Sequence, residues 1–123
     1  MSLYLKIEAA CVSALTLLLV YLGWMMFSSP FSHADFDLRA WALAAHDGTH
    51  CTRGAMVDSL LKKHVKPGME KTELVALLGK PDKEFGDESS YYLGACQIFS
   101  DMDSLDFYFD RQGTLTRHVI DGH

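Results

Sequence analysis

The chain opens on an apolar block and then changes period. Over residues 9–27 nothing is charged, and only Ser13, Thr16 and Gly23 interrupt the apolar run. As a helix rising about 1.5 Å per residue, this stretch reaches roughly 28 Å, close to the hydrocarbon thickness of a bilayer. Lys6 and Glu8 bound it on one side and Ser28-Ser29-Pro30 on the other, and Tyr21 and Trp24 sit where an interfacial belt belongs. The pattern predicts a membrane-spanning anchor within residues 1–30. A cleaved signal is the other reading, because Ser32-His33-Ala34 offers small residues before Asp35. The apolar run is longer than a usual signal core, so a retained anchor is favoured. Cys11 lies inside the run and reads as a small lipid-facing residue.

Residues 30–34 read as a short linker. The spacing then predicts a helix over 35–48, capped by Asp35 or Asp37 and ended by Gly48, with Leu38, Trp41, Ala42 and Ala45 on one face. A second helix is expected over 53–64, capped by Thr52, with Met56, Leu60 and Leu61 inward. A third is expected over 71–78, with Leu74, Val75, Leu77 and Leu78 apolar. Beyond Pro81 the period becomes two. Residues 90–94 read as a strand, and 94–103 is ambiguous. Residues 105–110 alternate, with Leu105, Phe107 and Phe109 on one face and Asp106, Tyr108 and Asp110 on the other. A tight turn at Asp110-Arg111-Gln112-Gly113 leads into a returning strand over 114–120. The order predicts an α+β fold: the N-terminal transmembrane helix, then two or three short helices on a three-stranded antiparallel sheet. The chain divides into the anchor (1–30), a linker with an amphipathic helix (31–52) and a folded domain (53–123).

With 123 residues the chain holds one small domain plus an appendage, which excludes a multidomain enzyme. The 11 Lys and Arg against 16 Asp and Glu give a net charge of −5, which argues against nucleic acid as a partner. Lys6 before the apolar run, and Asp35 and Asp37 after it, favour the N-terminus inside and the head outside. In a bacterium this means a single-pass inner-membrane protein with a periplasmic head. Cys51 and Cys96 invite a bridge there, contributing about 4 kcal/mol through the unfolded chain; two free thiols remain the alternative.

His46, His50 and Cys51 raise a metal-site alternative, although Asp47-Gly48 breaks the helix that would align the histidines. Asp101, Asp103 and Asp106 resemble part of a calcium loop but lack its Gly and distal Glu. No Gly-rich phosphate loop or Gly-x-Ser-x-Gly elbow occurs, so no enzyme, cofactor or resident metal is expected. Tyr91, Tyr92 and Tyr108 are candidates for a partner surface, and the returning strand offers an edge to a partner strand.

The stretch Pro67-Gly68-Met69-Glu70-Lys71-Thr72-Glu73-Leu74-Val75-Ala76-Leu77-Leu78-Gly79-Lys80-Pro81 resembles the signature of the BamE-like (SmpA/OmlA) domain. The later Tyr91-Tyr92-Leu93 and the run from Leu105 to Gly113 are similar to its strands. The resemblance spans about residues 53–123. Its motif residues Pro67, Gly68, Met69, Leu77, Leu78, Gly79, Pro81 and Gly113 are structural. Gly68 reverses the chain, Met69 plugs beneath the helix, Gly79 ends the helix in a left-handed conformation, and Pro81 aims the chain at the sheet. Where the family usually has Ser or Thr this chain has Glu70, which weakens the cap. The resemblance implies a protein-binding or scaffolding module of the cell envelope, linked to envelope or outer-membrane protein assembly. The chain lacks a lipoprotein site and carries the helix in its place. The alternative is an inhibitor or immunity protein that binds a secreted or envelope enzyme.

Overall fold

In the computed structural model, which describes residues 2–99 and 101–122, Ser2–Phe27 forms one continuous helix, α1. It is the one helix among the described residues long and apolar enough to cross a membrane, and the protein buries none of it. Two of its hydroxyls, on Ser13 and Thr16, are satisfied within the helix. Ser13 Oγ donates to the Ala9 carbonyl (2.9 Å) and Thr16 Oγ1 to that of Val12 (2.8 Å), so neither leaves an unpaired hydroxyl on the apolar surface of the helix. Cys11 is a free, exposed cysteine on this helix.

Helix α2, Leu38–Leu43, starts where Asp37 accepts the Ala40 amide (2.8 Å). It is shorter than the pattern predicts. With no second turn to build a stripe, Trp41 alone is buried, and Leu38 and Leu43 are exposed. The helix expected over 53–64 is two helices, α3 (Thr52–Ala55) and α4 (Val57–Lys63). Thr52 is the first helical residue rather than the cap. The cause of the break lies outside the segment. The Ala55 carbonyl accepts the His33 and Ala34 amides (3.1 and 3.0 Å), and the Asp58 amide donates to the Phe31 carbonyl (2.9 Å). The linker thus takes over groups that a continuous helix would pair within itself, Ala55 O with the Ser59 amide and the Asp58 amide with Gly54 O.

Helix α5, Lys71–Leu78, matches its expected bounds, and Glu70 makes no side-chain cap bond. Gly79 has φ +84° and ψ −172°, not the left-handed helical cap expected. The chain leaves the helix extended, and the Tyr91 hydroxyl takes the Gly79 carbonyl at 2.7 Å.

The sheet has four antiparallel strands in the order β1 (Lys83–Phe85), β2 (Glu88–Gly94), β3 (Asp103–Phe109) and β4 (Leu115–Gly122), one more than expected. The added strand is three residues long and wholly exposed, so it leaves no alternation to read. The inward faces of β2 and β3 supply Tyr91, Leu93, Leu105, Phe107 and Phe109. These pack with Trp41, Met56, Val57, Leu60, Leu74 and Leu78 from the helices. Asp106 is buried rather than solvated, together with Asp103 and Ser104 on the same central strand. The turn after β3 is held by Asp110, whose carboxylate accepts the Gln112 and Thr114 amides (both 2.9 Å), with Gly113 at φ +79°. This turn is stitched to the start of α5. Lys71 N donates to Gly113 O and Leu115 N to Met69 O, both at 2.8 Å. Two pieces of the motif, far apart in sequence, are thereby joined through backbone alone. Met69 packs partly buried against the core.

Candidate functional site

Cys51, at the start of α3, and Cys96, just after β2, form a disulfide with their Cα atoms 4.8 Å apart. Gly54 lies under it. A Cβ there would overlap both sulfurs, so the bridge requires a residue without a side chain. Gly94, at φ +97°, lies against the His50 carbonyl in the same way. The loop beyond Cys96 is braced from β3. The buried Asp103 carboxylate accepts the Cys96 amide (2.8 Å), the Gln97 amide (3.0 Å) and Gln97 Nε2 (2.9 Å). At the tip Ile98 is 87% exposed and Phe99 fully so.

Sequence reasoning missed the side chain that ties this corner to the core. Arg53 on α3 is 4% exposed. Its Nε donates to the Trp41 carbonyl (2.9 Å), and Nη1 donates to Asp82 Oδ2 (3.1 Å) and the Tyr92 carbonyl (3.4 Å). The guanidinium stands 4.7 Å from the centre of the Trp41 ring. Asp82 Oδ2 also accepts the Tyr92 amide at 2.8 Å. Burial lowers the guanidinium pKa, and the Asp82 charge opposes that shift. Charge pairing and aromatic stacking make the buried cation tolerable.

The three tyrosines have different fates. Tyr91 is buried in the core and is not a partner-surface residue. Burial chiefly, and then the Asp82 and Glu84 charges, push its phenol upward, so it stays a neutral donor to Gly79. A raised folded value means that stability is full below the unfolded phenol value of about 10 and falls as pH climbs above it. Tyr91→Phe is expected to cost about 1 kcal/mol at neutral pH and to flatten the alkaline loss. Urea melts at pH 7 and above pH 10 check this, and an unchanged alkaline slope would refute it.

Tyr92 and Tyr108 lie on the opposite face of the sheet. Tyr92 is exposed, and the Arg117 guanidinium stacks 4.0 Å from the centre of the Tyr108 ring. Phe85 on β1 is exposed as well. Strands β1 and β4 are the two sheet edges, and no further strand pairs with β4 among the described residues. This face and edge offer aromatic area, a cation and open backbone groups.

The other candidates separate. Cys51 is consumed by the disulfide, so the His46–His50–Cys51 reading loses its sulfur ligand. His50 Nδ1 instead lies 3.0 Å from Asp47 Oδ2 in an exposed turn. Amide donation from Thr49 and His50 lowers the Asp47 carboxyl to about 2. Asp103 braces the loop, and Asp106 lies within the sheet. No group of three His, Cys, Asp or Glu able to hold a metal ion occurs among the described residues. No protein-family model matches this sequence, and no curated protein matches it either.

Proposed function

We propose that the chain is a membrane-anchored protein-binding or scaffolding module of the bacterial cell envelope, with α1 in the inner membrane and the head in the periplasm. The observation that carries this reading is the join between helix and head. Only Ser28, Ser29 and Pro30 separate α1 from Phe31, whose carbonyl already receives the Asp58 amide. A bare apolar helix fused this closely to a folded head fits a retained anchor better than a disposable leader. Ser32-His33-Ala34 is itself hydrogen-bonded into the head. The Cys51–Cys96 bridge suits an oxidising compartment. The short helix between two glycine turns, followed by an antiparallel meander, supports kinship with the BamE-like domain.

The partner surface in this reading is the outer sheet face around Tyr92 and Tyr108. Two measurements on the full chain test it. A C-terminal reporter active only outside the cytosol should give signal. A photo-crosslinking side chain at Tyr92 should yield a discrete protein adduct that the same group at Lys63, on the helical side, does not. A silent reporter sinks the location, and matching adducts at both positions sink the surface.

A further inference from the structure

We propose that the loop tip Ile98–Phe99 is a second membrane contact, dipping into the outer bilayer interface beside the end of α1. This rests on the reading of α1 as a membrane anchor. The loop leans toward the last turns of α1, and the two enclose an open groove of about 740 Å³. Tyr21, Trp24 and Met25 line it on one side, and Ile98 and Phe99 on the other. Tyr21 and Trp24 mark the level of the headgroups, so the tip lies at that level too. The short join to Phe31 keeps the head at this height.

The tip is built to enter lipid. Its two large apolar side chains touch almost nothing in the protein, yet the base of the loop is fixed. The disulfide and the Asp103 carboxylate hold the base of the loop, so little order is lost on contact. The anchor makes the contact intramolecular, so a weak second site is occupied without added concentration. Gln97, Ile98 and Phe99 carry no charge, and Asp101 follows. The contact is therefore apolar and does not call for anionic lipid.

Depth-resolved fluorescence tests this on the full chain in phosphatidylcholine vesicles, with Trp24→Phe as background and Trp41 as a constant signal from the head core. One tryptophan is added in turn by Phe99→Trp, Leu15→Trp or Phe85→Trp, and lipids brominated at shallow or deep acyl positions serve as quenchers. The expected result is quenching at 99 mainly by shallow bromine, at 15 by deep bromine, and at 85 by neither. Adding Ile98→Asp to Phe99→Trp should remove the quenching at 99. If 15 is quenched and 99 resembles 85, the loop proposal is overturned and the anchor stands. If 15 is not quenched, the anchor falls and the proposal with it. If 99 is shielded from both bromolipid and aqueous acrylamide, a second copy of the chain fills the groove, and the proposal is overturned.

Discussion

Arg53→Ala is expected to destabilise the head by about 3–5 kcal/mol, the range for removing one partner of a buried ion pair. The loss has three parts. The Trp41 carbonyl gives up its donor, Asp82 gives up its counter-charge, and a void opens beside the Trp41 ring. Arg53→Lys should recover only part of this, because a single ammonium cannot reach Trp41 O and Asp82 together. Urea unfolding of the full chain in micelles, followed by the environment of Trp41, measures it. A loss below about 1 kcal/mol for Arg53→Ala would place the pair among surface ion pairs and remove it from the core.

Reduction of the Cys51–Cys96 bridge is expected to cost about 4 kcal/mol, since a long loop is released in the unfolded chain. The folded state loses something as well. Gly54 lies directly under the two sulfurs, so two thiols that can no longer stay at bonding distance must shift this corner to fit. Unfolding midpoints with and without a thiol reductant give the difference, with intact mass confirming the bridge state. Coincident midpoints would mean that Asp103 and Arg53 hold the corner unaided.

These effects differ in how far they could be read from sequence. Elements set by near neighbours were legible. Asp37 caps α2, α5 runs between Gly68 and Gly79, and Gly113 closes the last hairpin, all through contacts a few residues apart. Contacts across the fold were not legible. The break at Met56 is imposed by Phe31, His33 and Ala34, and the Arg53–Asp82 pair joins residues 29 positions apart. Parity defeated the tyrosine reading. In an adjacent pair one side chain must point inward, and the sequence marks neither, so Tyr91 and Tyr92 looked alike until the register placed Tyr91 opposite Leu105. Asp106 misled because a carboxylate in an alternating strand normally marks the wet face. Here it lies on a central strand between Ser90 and Val119 and is buried. The disulfide was open on either reading, since spacing alone cannot show that two Cα atoms meet.

The splice of Phe31, His33 and Ala34 into the gap between α3 and α4 has a mechanical consequence. With α1 in a bilayer as proposed, tension along it would not be absorbed by slack chain. It would load the amide of Asp58 and the carbonyl of Ala55 directly, within a few residues of Arg53 and the bridge. The Arg53–Asp82 pair and the disulfide therefore stand next to the point where force enters the head.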